Sequence, residues 1–201
     1  MSEHTAIPLR EAIYLAKEWC ELLRPGCVRI EPAGSVRRCK EEVHDIELVA
    51  IPEYSQGEVI DLFGATSRIN KLEHVLGLLH DAGKFSYQPQ NPNERRANGE
   101  KYKKLFLPSG VQLDLFVVTP PAQWGYIFTI RTGSDAFSHW LVTKRKYGGA
   151  MPSDCECKEG AVWRNGKIIP MPEEIDLFNL CGVWYEPYER GKDFTKRPVA
   201  K

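Results

Sequence analysis

The chain has 201 residues, 42% of them hydrophobic, and its 27 Lys and Arg balance 27 Asp and Glu. That is enough for one compact unit, or two small subdomains sharing a site, in the range of soluble globular proteins. No apolar run approaches the roughly 18 to 20 residues that span a bilayer and no signal-like segment opens the chain, so a cytoplasmic protein with no membrane partner is expected.

The first element is a predicted helix over residues 9–23, carrying Ile13, Leu15, Ala16 and Trp19 and stopped by Pro25-Gly26. A short strand over 27–32 then delivers the chain to Gly34-Ser35-Val36-Arg37-Arg38. Glycine lets a backbone approach an anion closely, a serine adds a hydroxyl donor, and arginines supply donor forks that match phosphate oxygens. The run Asp45 to Ile51 alternates as a strand, which sends Asp45 and Glu47 to one face while Ile46 and Leu48 enter the core. Two hard oxygen ligands on one face invite Mg²⁺.

Residues 66–79 read as a helix with Ile69, Leu72, Leu76 and Leu79 at helical spacing. The polar segment 88–100 reads as a loop, with a tight turn at Asn98-Gly99. Residues 102–107 and 111–118 read as strands joined at Pro108-Ser109-Gly110, and the second carries a lone Asp114 in an apolar run. Set on a strand beside Asp45 and Glu47, Asp114 completes a carboxylate set for two metal ions, the arrangement that stabilises attacking and leaving oxygens in phosphoryl transfer. Pro120-Pro121 marks a subdomain boundary, followed by a predicted helix over 135–146 and a hairpin over 161–169 turning at Asn165-Gly166. The fold class that follows is α/β, more strictly α+β: a mixed sheet flanked by helices, with a small C-terminal α+β subdomain.

Six scattered cysteines favour free thiols, and Cys155-x-Cys157 lacks two further ligands at zinc spacing. A net charge of zero is unusual for a nucleic-acid binder, but local charge is uneven. Residues 131–147 hold Arg131, Lys144, Arg145 and Lys146 against Asp135 alone, and the tail adds Arg190, Lys192, Lys196, Arg197 and Lys201. Such runs serve either as solvated faces or to neutralise DNA phosphates.

Together these motifs resemble the nucleotidyltransferase superfamily, and within it the family X DNA polymerases related to polymerase beta. That family carries Gly-Ser-x-Arg-Arg, a short loop, Asp-x-Asp opening a strand, and a third Asp on a later strand. The segment 39–44 has the length of that loop. Thr132-Gly133-Ser134-Asp135-Ala136-Phe137 is similar to the family's Thr-Gly-Ser-Asp turn, and 173–178 and 185–190 are similar to its closing segment.

The resemblance implies a nucleotidyltransferase palm over 1–121 and a nucleotide-selecting subdomain over 122–201, the minimal layout of viral or phage members that lack the N-terminal lyase domain. It implies a monomeric DNA polymerase of gap-filling or repair type, acting in the cytoplasm, of the host cell if viral. The enzyme would add a nucleotide from a nucleoside triphosphate to a DNA primer-template or gapped DNA and release pyrophosphate. Asp45, Glu47 and Asp114 would be the catalytic and metal-binding residues for two Mg²⁺ ions, with Mn²⁺ able to substitute. Gly34, Ser35, Arg38, His44, Gly133, Ser134 and Asp135 would bind the nucleotide, Ser35 and Arg38 at its β and γ phosphates.

The chain departs from the family at four places. Glu47 stands where the second Asp is usual, and His44 before the first Asp resembles the terminal transferase and polymerase mu branch. Ile130-Arg131 replaces an aromatic pair beside the sugar, and Ser138 replaces an Asn that reads the base pair. Template-independent terminal transfer, nucleotidyl transfer to RNA, and a catalytically idle DNA-end-binding module are the competing readings.

Overall fold

A computed structural model describes residues 6–59, 66–87 and 97–184. A two-residue strand, β1 (Ile7–Pro8), leads into helix α1 (Leu9–Leu23), which buries Ala12, Ala16, Trp19, Cys20 and Leu23; of the residues expected on its apolar face Ala16 and Trp19 are buried, while Ile13 and Leu15 are only partly buried against the core. Pro25, which has no N–H to continue the ladder, turns the chain through a 3-10 turn at Arg24–Gly26. The chain then enters strand β2 (Cys27–Pro32). A single helical turn, α2 (Gly34–Arg37), and the short β3 (Glu42–Val43), paired with β1, precede β4 (Asp45–Pro52).

Next comes a departure from the sequence reading. Residues 54–59 and 66–70 pair as an antiparallel ribbon, β5 (Tyr54–Val59) and β6 (Thr66–Asn70), and helix α3 spans only Lys71–Asp81. The expected helical start at residue 66 is therefore corrected. Asn70 stops the strand and starts the helix, its side-chain oxygen accepting from the backbone N–H of Leu72 at 3.0 Å and Glu73 at 3.3 Å. Most of the expected 88–100 loop lies outside the described residues. At its end Asn98 bridges to Lys103, and Gly99 N–H donates to the Tyr102 carbonyl at 2.9 Å.

Strands β7 (Tyr102–Phe106) and β8 (Gln112–Val117) follow as read, giving a four-stranded sheet in the order β2-β4-β8-β7. Only the β4–β8 pair is parallel, so the sheet is mixed, with an α+β architecture. One face buries Ile46, Leu48, Ala50, Leu105, Leu113 and Leu115 against α1 and α3.

On the opposite face, helix α4 (Trp124–Thr132) lies over Val49, Phe116 and Val118 through Trp124 and Phe128, and Asp45, Glu47 and Asp114 follow along the same strands. The rest of the C-terminal part builds its own core from α5 (Asp135–Val142), β9 (Cys155–Lys158), β10 (Ala161–Arg164), β11 (Lys167–Ile168) and α6 (Glu174–Cys181). The β10–β11 hairpin turns on Asn165 and Gly166, both at positive φ, the conformation that two-residue hairpin loops need.

Helix α5 ends earlier than the expected residue 146. Thr143 is extended, its hydroxyl donating to the His139 carbonyl at 2.6 Å, and a separate 3-10 turn covers Arg145–Tyr147. The six cysteines are free thiols. Among the described residues, no helix is long and apolar enough to cross a membrane.

Candidate active site

Strand register brings the three carboxylates together. In the parallel β4–β8 pair Asp45 faces Gln112 and Glu47 faces Asp114, while antiparallel β7 sets Lys104 beside Asp114 and Tyr102 beside Phe116. Because side chains alternate, Asp45, Glu47, Gln112, Asp114, Lys104, Phe116 and Tyr102 share one face. Asp45 and Glu47 are half-buried, and Asp114 is buried.

Gly34 closes the β4 side. Its φ is +57°, and a Cβ built there would lie 1.6 Å from Oε2 of Glu47, so glycine is required both for the backbone turn and for the carboxylate's place. The adjoining backbone is anchored by Ala33 N–H donating to the Glu47 carbonyl at 2.8 Å. On the β8 side, Gln112 Nε2 donates to Oδ1 of Asp114 at 2.8 Å, and Lys104 Nζ donates to Gln112 Oε1 at 3.0 Å. Lysine is a donor only, so it fixes which way the Gln112 amide points. The Tyr102 hydroxyl also favours the charged form of Asp114.

Burial and neighbouring acids at this partly dry site resist the ionisation of Glu47 and Asp114. Burial first, then the charges of Asp45 and Asp114, push Glu47 up to about 8 against the pull of Arg38 and Arg131. Burial and Asp45 push Asp114 up to about 6, with the Gln112 hydrogen bond working the other way. Among the described residues, no three His, Cys, Asp or Glu side chains converge closely enough to hold an ion as they stand. The donor chemistry nevertheless suits a divalent cation: hard oxygens whose mutual repulsion a positive charge would relieve.

This makes a testable statement about stability. A glutamate in an unfolded chain ionises near 4.5, whereas folded Glu47 holds its proton to about 8, so its ionisation works against the fold. The metal-free protein is expected to lose stability as pH rises through that window, with Asp114 contributing between its ordinary 3.8 and about 6. Glu47→Gln should flatten the profile and raise the melting temperature above pH 8 by a few degrees. Thermal melts across pH in EDTA check this, and superimposable profiles for parent and variant would sink it.

The arginines divide their work. Arg37 is held by Glu174, donating from Nη1 at 2.8 Å and Nη2 at 2.7 Å, with Nη1 also 3.0 Å from Thr132 Oγ1. Arg38 is buried and donates from Nη1 to the carbonyls of Thr132 and Gly133, which fastens the Thr-Gly-Ser-Asp turn to the carboxylate face. Burial pulls Arg38 below the ordinary arginine value, while Glu47, Asp135 and Asp45 favour its charge. Two buried polar atoms here, Ser35 Oγ and Arg38 Nε, have no partner among the described residues.

The remaining expected residues surround this centre. Ser134 caps α5, its Oγ accepting from Phe137 N–H at 3.3 Å, and Asp135 sits exposed in the first turn. A Cβ on Gly133 would strike Ser138 Oγ at 2.5 Å, and that hydroxyl donates to the Ile130 carbonyl at 2.7 Å. His44 is exposed and lines an open cleft with Cys39 and Lys40 at the rim. In the basic run, Arg145 has a structural task, donating to the carbonyls of Ala150 and Cys181. The basic tail and the 185–190 segment lie outside the described residues.

Sequence reasoning missed Gln112, Lys104, Tyr102 and Phe116 as companions of Asp114. The available signal was their two-residue spacing, Gln112-x-Asp114-x-Phe116 and Tyr102-x-Lys104. It also left Arg131 without a neighbour, whereas its guanidinium lies 3.9 Å from the Phe116 ring centroid. Comparison with known proteins adds no family: no family model matches the chain, and no curated protein matches it significantly.

Proposed function

We propose that this chain is a divalent-metal-dependent nucleotidyltransferase of the polymerase beta-like, family X kind, adding a deoxynucleotide to a primer 3′-hydroxyl with release of pyrophosphate. The observation that carries the reading is the pairing of Glu47 with Asp114 across parallel strands, two residues from Asp45, beside a Gly34 that fits against the Glu47 carboxylate. Burial, with Asp45 and Asp114 close by, lets Glu47 hold its proton to about 8, and a binding module has no need to gather acids in this way. The unpartnered Ser35 Oγ and Arg38 Nε are the donors that a phosphate oxygen would satisfy.

Asp45, Glu47 and Asp114 would hold Mg²⁺, or Mn²⁺ in its place. When bound, the ions neutralise charge on the transferring phosphoryl group and lower the pKa of the attacking hydroxyl. The protein's own contribution is positional. Gln112, itself held by Lys104, orients Asp114, and Arg38 ties the Gly133–Asp135 turn to the carboxylates so that sugar and base lie along it. The substrates on this reading are a nucleoside triphosphate and a DNA primer-template or gapped DNA, and the enzyme works as a monomer in the cytoplasm.

Primer extension on gapped, nicked and blunt DNA, with deoxy- and ribonucleotides, tests the proposal. Extension by added nucleotides is expected with Mg²⁺ and none with EDTA. Extension that ignores the template would move the assignment to terminal transfer. Absence of pyrophosphate release with every nucleic acid and triphosphate would leave a DNA-end-binding module.

A further inference from the structure

Phosphoryl transfer places the attacking and leaving oxygens on opposite sides of the phosphorus. On the proposed reading, on which this inference rests, the leaving pyrophosphate lies at Ser35 and Arg38, next to Gly34 on the β4 side. The attacking strand must then approach from the other side of the carboxylates, over β8 and the edge strand β7. Three acids repel a nucleic-acid strand, so that side needs cations.

Two are present. Lys104 neighbours Asp114 in register and gives one proton to Gln112 at 3.0 Å. An ammonium has three donors, which leaves two to direct elsewhere. The exposed Arg131 sets its guanidinium carbon 3.9 Å from the Phe116 ring centroid, and Phe116 stacks on Tyr102 with centroids 5.0 Å apart and rings 16° from parallel. Among the described residues, no hydrogen bond or ion pair engages the Arg131 guanidinium. Arg131 is therefore seated on the ring with its donors unengaged by the described residues, near the Glu47 carboxylate whose charge it offsets.

We infer that Lys104 and Arg131 form a two-cation seat for the terminal phosphodiester of the strand being extended. The seat reads backbone charge, not sequence, since neither cation is set in a fork aimed at a base edge. Local cations on the acceptor side let a chain of zero net charge meet a strand phosphate beside its carboxylates.

The test is anisotropy titration of a fluorescein-labelled, dideoxy-terminated primer-template with the full chain in Ca²⁺ over a range of KCl. Lys104→Gln and Arg131→Gln are each expected to weaken DNA binding about tenfold and to reduce the salt-dependence slope by about one. Arg131→Lys, which keeps the charge, should recover much of the affinity. Displacement of a fluorescent deoxynucleoside triphosphate should stay within twofold of the parent for Lys104→Gln, and circular dichroism should match for every variant. Unchanged DNA affinity and slope in either glutamine variant overturns the two-cation seat, as does an equal loss of nucleotide affinity in Lys104→Gln. A parent that neither binds nor extends DNA overturns the proposed function instead, which keeps the two failures apart.

Discussion

Replacing Asp114 with Asn is expected to stop nucleotide addition, lowering single-turnover extension about a thousandfold or more, equivalent to roughly 4 kcal/mol of barrier. The fold should survive. An amide oxygen at this position still accepts from Gln112 Nε2, now 2.8 Å from Oδ1, and the change removes an acid that burial and Asp45 already push up to about 6. Triphosphate binding should also survive, because the donors assigned to it, Ser35 and Arg38, stand on the other side of Glu47. A loss in rate without a loss in ground-state affinity is the signature of an interaction made in the transition state. Single-turnover extension and equilibrium nucleotide binding, measured on the same preparation, separate the two. Turnover within a few-fold of the parent would remove Asp114 from the chemistry and with it the assignment of the site.

Local chemistry made much of this fold legible. The 9–23 helix followed from its apolar spacing and the Pro25-Gly26 stop, and β4 from the alternation that sends Asp45 and Glu47 one way and Ile46 and Leu48 the other. The hairpin at Asn165-Gly166 followed from a dipeptide that tolerates positive φ. The β5–β6 ribbon was not legible. Ile69 and Leu72 imitate a helical face when read alone, and only pairing with residues 54–59 assigns residues 66–70 to a strand. The carboxylates could be nominated from sequence, and alternation along β8 signalled Gln112 and Phe116, but the cross-strand neighbours could not be placed. Which residue of β7 stands next to Asp114 depends on register, a property of two strands at once, so Lys104 became visible only when antiparallel pairing set it there. The division of labour between Arg37 and Arg38 was hidden for the same reason, since the partner of Arg37 is 137 residues away.

That distant partner sets the largest expected effect on stability. Arg37 and Glu174 form a bidentate pair at 2.7 Å with side chains only 17% and 5% exposed, and the guanidinium also lies 4.2 Å from the Phe128 ring centroid. Breaking a buried pair by removing one partner leaves an uncompensated charge, which typically costs about 3–5 kcal/mol. Arg37→Ala is expected to fall in that range. The stranded Glu174 carboxylate is the first residue of α6, and the helix N-terminus offsets part of its charge. The effect should reach the candidate site, because the Thr132 hydroxyl bonded to Arg37 adjoins the Thr132 and Gly133 carbonyls held by Arg38. Weaker nucleotide binding should therefore accompany the lost stability. Changing both partners, Arg37→Met with Glu174→Leu, removes the charges together and should recover much of the stability. It should not recover nucleotide affinity, because the link to Thr132 is gone. Urea unfolding of the singles and the double measures the coupling, and additive losses would show that the pair contributes nothing beyond its separate parts.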